Sequence, residues 1–318
     1  MLDFDLGFIS SANADKVYDL IIIGGGPAGL TAGLYASRYK LDTLMLERAP
    51  ISGGQLTSTQ WVENYPGFPE PVLGQKLARD MEAQAKLFGL QIVSEAVTEV
   101  RLEGQVKEIQ TDYNTWKARA VLIATGASPR RLGIPGEAEF SGNGVSYCAT
   151  CDGPFYPDKV VAVVGGGNSA LEESLFIAKY ARQVYIIHRR DSFNADPIIV
   201  ERVKAEPRIE LITNTVVDRI EFSEGLERRI VLRGVTDNAQ RDLPVDGVFI
   251  FVGQIPNTKL FEGKLTLEGG YIVTDHAYRT SSEGVWAVGD VRAASLRQVA
   301  TAVGDGAAAA HYIHKYLM

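Results

Sequence analysis

Cys148 and Cys151 are the only cysteines in 318 residues, and they stand in one short run, Cys148-Ala149-Thr150-Cys151-Asp152. Two thiols separated by two residues can close a small, readily reduced disulfide. Asp152 sets a carboxyl beside them. If buried, that carboxyl has a raised pKa and could pass a proton to a leaving thiolate. Taken alone, the same acid before Gly153-Pro154 also reads as an ordinary turn residue. Two further roles for the pair are zinc ligation and a structural bridge. Zinc would need additional ligands from among His188, His276, His311 and His314, and His311-x-x-His314 is tighter than the usual spacing. A bridge over so short a loop constrains little of the unfolded chain. The surrounding sequence favours a redox-active pair.

Those surroundings are a duplication. Residues 20–48 (LIIIGGGPAGLTAGLYASRYKLDTLMLER) are repeated by residues 160–189 (VVAVVGGGNSALEESLFIAKYARQVYIIHR). Gly24, Gly25 and Gly26 fall on Gly165, Gly166 and Gly167, Leu34 on Leu175 and Tyr39 on Tyr180. Each copy reads as buried strand, glycine turn, helix and second strand, a β-α-β unit able to open a Rossmann-like domain. Further strands are expected at Ala120–Gly126, Val248–Gly253 and Val285–Asp290, and a small-residue helix over roughly Val299 to Tyr316. The expected fold is α/β, with two Rossmann-like dinucleotide-binding domains of three-layer type, the second inserted in the first. Residues 17–128 and 253–318 make the first domain, 129–252 the second, and 1–16 a polar lead-in.

In the first turn, Gly24, Gly26 and Gly29 fit G-x-G-x-x-G, with Pro27 and Ala28 opening the helix. The pattern permits a tight turn, close approach of backbone to a pyrophosphate, and close helix–strand packing. Glu47, followed by Arg48, ends the next strand, where a carboxylate can accept hydrogen bonds from ribose hydroxyls. This turn alone does not separate FAD from NAD. In the second turn Gly165, Gly167 and Ala170, with Asn168 and Ser169 between them, give G-x-G-x-x-A. The position of Glu47 is here taken by His188, and Arg189 and Arg190 follow. Cations in that register suit a 2′-phosphate, which points to NADP.

Composition bounds the rest. Net charge is −7 without a basic run, which argues against binding a nucleic-acid backbone. No apolar stretch reaches the ~18 residues of a membrane span. Met1-Leu2-Asp3-Phe4-Asp5 has acids where a signal peptide would carry Lys or Arg. A cytoplasmic location is expected, and there a lone cysteine pair points to catalysis or metal rather than a staple.

Several further runs carry a resemblance. They are Gly53-Gly54-Gln55-Leu56, Glu63-Asn64-Tyr65-Pro66-Gly67, Ala124-Thr125-Gly126, CATCD at 148–152, GGGNSA at 165–170, HRRD at 188–191 and GDV at 289–291. With these, the chain resembles the low-molecular-weight thioredoxin reductases over residues 17–317. The resemblance implies FAD in the first domain, with contacts from Gly54, Gln55, Leu56, Asn64, Val97, Thr125 and Gly126. It also implies that Asp290, after Gly289, holds the ribityl chain, and that Arg297, Gln298 and Val299 meet the flavin pyrimidine. It implies that NADPH reduces FAD at N5, that Cys151 faces the flavin, that Cys148 attacks the substrate and that Asp152 is the general acid. The implied partner is a separate thioredoxin-like protein disulfide, and the implied assembly a homodimer. In that family the second domain rotates, with hinges expected here near Leu132–Ile134 and Gly253–Pro256.

One position departs from the pattern. The family continues H-R-R-x-x-x-R, whereas this chain has Asn194 at the last place, with Asp191 and Asp196 nearby. A lost charge-assisted contact is worth roughly 1.5–3 kcal/mol. The expected function is therefore an FAD-dependent thioredoxin-disulfide reductase with weakened NADPH use. The alternatives are the same chemistry with a different donor, such as ferredoxin or a reduced flavin, and, independently of this gap, a non-catalytic flavoprotein redox sensor.

Overall fold

The computed structural model describes residues 16–57, 59, 61–62, 64–222 and 228–318. Apart from its last residue the lead-in 1–16 lies outside the described residues, as does Glu63 of the ENYPG run. In chain order, β1 (Val17–Ile23), α1 (Pro27–Arg38) and β2 (Thr43–Glu47) come first. The short strands β3 (Trp61–Val62) and β4 (Val72–Leu73) precede α2 (Gly74–Leu87) and β5 (Gln91–Ser94). Next come β6 (Val97–Arg101), β7 (Lys107–Thr111), β8 (Thr115–Ile123) and β9 (Ala127–Pro129). The redox run follows β10 (Val145–Ser146) as the one-turn helix α3 (Ala149–Asp152). After it come β11 (Val160–Gly165), α4 (Asn168–Ile177), β12 (Gln183–Ile187), α5 (Pro197–Ala205) and β13 (Ile209–Ile212). Strands β14 (Thr215–Glu221), β15 (Arg229–Gly234), β16 (Gln240–Pro244), β17 (Gly247–Phe251) and β18 (Gln254–Pro256) continue the chain. The last elements are β19 (Leu267–Glu268), β20 (Tyr271–Ile272), β21 (Val285–Ala287) and α6 (Val299–Leu317).

Two compact units result. The first comprises the described residues to Thr57 with Gln75–Ala127 and Pro256–Met318. The second holds Ser128–Ile255 together with the described part of Ser58–Gly74. That last segment, which carries Asn64, was expected with the first domain, and its own contacts group it with the second.

In the first unit the sheet order is β5-β2-β1-β8-β7-β6, and β8 serves two partners along the edge away from β1. Its first half pairs antiparallel with β7, and Val121–Ile123 pairs parallel with β21. Because β1 is central, both its faces are covered: Leu20 and Ile22 enter one core and Ile21 and Ile23 the other. An unbroken apolar run is what such a strand requires. The second unit repeats the arrangement, with a parallel sheet ordered β10-β17-β11-β12-β13. Along β11, Val161 and Val163 pack toward α4 and α5, while Ala162 and Val164 pack toward the antiparallel β14-β15-β16 sheet. Among the described residues no helix is long and apolar enough to cross a membrane.

Candidate active site and nucleotide cradles

Val145–Ser146 pairs with β17 through Val145↔Val248 and Ser146↔Phe249, so the redox run leaves the sheet at a fixed point. Cys148 and Cys151 are joined as a disulfide, with Cα atoms 5.3 Å apart. No group of three potential metal ligands occurs among the described residues, and both sulfurs are engaged with each other. Cys148 is the N-cap of α3, and its Sγ accepts the Cys151 N–H at 3.2 Å. The Asp152 N–H reaches the Cys148 carbonyl at 3.1 Å, closing the turn. Its carboxyl accepts the Ser146 hydroxyl at 2.6 Å. Burial raises the pKa of Asp152, and the Ser146 hydrogen bond opposes the rise only in part. Burial thus favours the protonated form of this acid, the form that can donate.

The first glycine turn is built by contact between backbones. Gly24 has φ +106°, and a Cβ there would run into the Ala124 carbonyl. A Cβ on Gly29 would strike the Gly24 carbonyl, so α1 can approach β1 only with glycine at that place. Gly26 caps α1 without any side-chain hydrogen bond, and Pro27 occupies the first turn. A Cβ on Gly26 would find only Gly54 Cα, at 4.0 Å, so the space before the helix end is open. Glu47 Oε2 accepts the Gly25 N–H at 2.6 Å and Oε1 the Ala49 N–H at 2.9 Å, which fixes the carboxylate at the end of β2. Ala28 is buried behind the turn, and Arg48 is exposed beyond it.

The remaining first-unit candidates fall into four groups. Gln55 donates to the Ala127 carbonyl at 3.0 Å and to Asp290 Oδ2 at 3.2 Å, while Asp290 Oδ1 accepts Ser295 Oγ at 3.2 Å. Burial raises the Asp290 pKa, opposed by Ser295, Arg297 and Gln55. Leu56 is buried beside Gln55 in a short turn of helix. Thr125 and Gly126 are clamped by Asn257, which bonds both carbonyls and accepts the Thr125 hydroxyl at 2.9 Å. Arg297 lies over the Tyr271 ring, and Gln298 caps α6 at Val299 through a reciprocal box with Thr301. Val97 packs on the hydrophobic core that contains Ile23 and Leu46. An uncapped helix end, a fixed carboxylate and a cradle that only glycine leaves open are the donor set a dinucleotide pyrophosphate and ribose need.

Arg292 and Asp305, which nothing local in the sequence marks, position this region. Their ion pair is 2.7 Å long, with both side chains largely buried, and Asp305 also accepts the Gly289 N–H at 3.0 Å. The turn bearing Asp290 is thereby pinned to α6.

In the second unit, Gly167 caps α4, again without a side-chain bond. A Cβ on Gly165 would meet the Phe251 carbonyl at 2.5 Å and Ala170 Cβ at 2.6 Å. Asn168 Oδ1 accepts the Asp196 N–H at 2.7 Å, and Ser169 is exposed one position further on. His188 does not extend outward: a Cβ on Gly166 would collide with its ring, which also stacks on Phe193. Burial, together with the Arg190 and Arg189 charges, lowers the His188 pKa, against a hydrogen bond to the Ser192 carbonyl. Neutral His188 is therefore a support of the glycine turn. The positive charge beside the turn is carried by Arg189 and Arg190, which are exposed and in no ion pair among the described residues. Asn194 donates its N–H to the Gly166 carbonyl at 2.8 Å, so this position lies against the turn. Leu132 and Gly133 give their N–H groups to buried Glu137, which ties the segment expected as a hinge into the second unit.

Comparison with known proteins fits both cradles and the disulfide. The model of the pyridine nucleotide-disulphide oxidoreductases matches residues 18–306. The chain is 47% identical to thioredoxin reductase of Listeria innocua over 307 residues, 96% of each protein. It is 43% identical to that of Bacillus subtilis over 304 residues, 95% of this chain and 96% of the relative. The chain belongs to the low-molecular-weight thioredoxin reductases, within the pyridine nucleotide-disulphide oxidoreductases. As a member it is a flavoprotein disulfide oxidoreductase. The crystal structure of thioredoxin reductase from Streptococcus pyogenes superimposes with a TM-score of 0.90 at 39% identity, covering 96% of this chain and 99% of that one.

Proposed function

We propose that this flavoenzyme takes two electrons from NADPH and delivers them through the Cys148–Cys151 disulfide to a thioredoxin-like protein disulfide. The observation that carries the reading is the disulfide at the cap of α3, with the buried acid Asp152 at the other end of the same turn. FAD, when bound, supplies the two-electron link between the pyridine nucleotide and the disulfide. In the first unit, Gly24, Gly26 and Gly29 would receive its pyrophosphate, Glu47 its ribose and Asp290 its ribityl hydroxyls. The second turn, from Gly165 to Ala170, would hold NADPH, with Arg189 and Arg190 toward the 2′-phosphate.

The cysteines divide their roles by environment. The Cys151 N–H points at Cys148 Sγ, so a hydrogen-bond donor stands ready for a Cys148 thiolate. Cys148 is then the nucleophile toward the external disulfide, and Cys151 the sulfur paired with the flavin. Asp152 keeps a proton available for the thiolate released on reduction. Thioredoxin disulfide reduction with NADPH tests the reading: Cys151→Ser loses turnover by several orders of magnitude while keeping its flavin, and a normal rate would sink it.

A further inference from the structure

Ser146 is buried, with 5% of its surface exposed, at the end of β10. Its Oγ lies 2.6 Å from Asp152 Oδ2, 3.2 Å from the Cys148 carbonyl oxygen, and 3.1 Å from the Cys148 nitrogen, whose N–H it accepts. A serine has one hydroxyl proton, which cannot serve Asp152 and the Cys148 carbonyl at once. Two complete arrangements exist. With Asp152 ionised, Ser146 donates to Oδ2. With Asp152 protonated, the acid donates to Ser146 Oγ, and the serine proton turns to the Cys148 carbonyl. The Cys148 N–H stays on Oγ in both, and neither leaves a buried polar group without a partner.

Ser146 and Asp152 also line one cavity of about 340 Å³ in the second unit, together with Tyr156, Lys159, Arg228 and Asp246. The charged groups there are engaged with one another. Lys159 pairs with Asp246 at 3.4 Å, and Arg228 donates to the Asp246 carbonyl and covers the Phe222 ring. Tyr156 is pushed up to about 12 by burial and by the Asp152 charge, so it is neutral. Among the described residues, Ser146 is the side chain that answers the carboxyl directly. The cavity is polar and large enough for several waters.

We propose that Ser146 is a positioning residue, a hydroxyl pivot that keeps Asp152 hydrogen-bonded in both protonation states, and that this cavity is where water returns the proton to Asp152. The inference rests on the reading of Asp152 as the general acid. When two electrons break the S–S bond, both sulfurs become thiolates. The Asp152 O–H then breaks as one S–H forms, and Ser146 swings its hydroxyl from the Cys148 carbonyl to Oδ2. Water in the cavity then relays a proton from bulk solvent to the carboxylate, each relaying water regaining the proton it passes on, and the serine swings back.

The test uses the FAD-loaded enzyme and the carboxylic C=O band of Asp152 in infrared difference spectra, assigned by its loss in Asp152→Asn. Ser146→Ala removes a hydrogen bond from both forms, and the charge-assisted one to the ionised form is the stronger, so the midpoint of the band rises by about one pH unit. The corresponding limb of turnover moves with it. Ser146→Gly removes the same hydroxyl without adding a methyl, whereas Ser146→Thr keeps it and holds the midpoint within about half a unit. In deuterated buffer the band of the resting enzyme shifts within seconds. An unchanged midpoint in both hydroxyl-free variants overturns the pivot, and a band unshifted for hours overturns the cavity route. Wild-type turnover in Asp152→Asn would instead remove the acid assignment and leave those two spectroscopic results readable.

Discussion

Gly306→Ala and Gly304→Ala differ by two places on one helix and should have opposite effects. Buried Ala302, Gly306, Ala309, Ala310, Ile313 and Leu317 form a stripe along α6 at helical spacing. At Gly306 an added Cβ meets backbone: the Ala28 carbonyl within contact distance and the Ala32 nitrogen at 3.0 Å. Neither is the flexible end of a side chain, so α1 and α6 must part. Overpacking of this kind costs about 1–3 kcal/mol or more, against about 1 kcal/mol gained by replacing glycine inside a helix. At Gly304 nothing lies within 4 Å, and the helix gain stands alone. The helix gain is common to both, so the pair should be separated by the overpacking cost, about 1–3 kcal/mol or more, at least about fivefold in the folding constant. Urea unfolding of the holoprotein followed by tryptophan fluorescence reads this difference. Ala28 stands just behind the phosphate-facing turn of α1, so Gly306→Ala should also release flavin more readily, seen as a rise in free-flavin emission. Equal stability and equal flavin retention in the two variants would refute the reasoning.

Two further outcomes are expected. Asn194→Arg adds a guanidinium to the residue whose backbone N–H is bonded to the second glycine turn, and the dissociation constant for NADPH should fall about ten- to a hundredfold with NADH unchanged. A titration showing the same change for both nucleotides would assign the effect to general charge. Asp305→Ala leaves Arg292 buried without its partner and frees the Gly289 N–H, costing about 3–5 kcal/mol of stability in thermal or urea unfolding. A variant as stable as the parent would show that the turn at Asp290 does not depend on this pair.

What the sequence made legible was local and repeated. Both glycine turns announce themselves because their backbones tolerate no Cβ at Gly24 and Gly165, and the duplication prints that demand twice, although Ala170 stands where the first copy has Gly29. The alternation on β1 and β11 hides nothing either, since both faces are buried. The positioning groups were not legible. Glu137, Ser146, Arg292 and Asp305 act on partners set by folding, and each alone is an unremarkable polar residue. His188 was placed by its register with Glu47, yet its ring is drawn beneath the turn because Gly166 leaves a hollow there. The segment 58–74 is rich in proline and aromatics and holds no Lys or Arg, but nothing in that composition says which unit it joins; the contacts of its described residues do.

The sharing of β8 also bears on how the molecule is made. Val121–Ile123 is paired along one edge by β1, but its other edge is closed by β21, from residues 285–287. The stripe on α1 is likewise covered by α6, beginning at Val299. On a ribosome the second unit is fully translated while the first still lacks both pieces. The order of synthesis thus places completion of the inserted unit before that of the unit that encloses it in the chain. Until then the apolar edge around Leu122 and Ala28 is open, and it is the part of the nascent chain that a chaperone would have to shield.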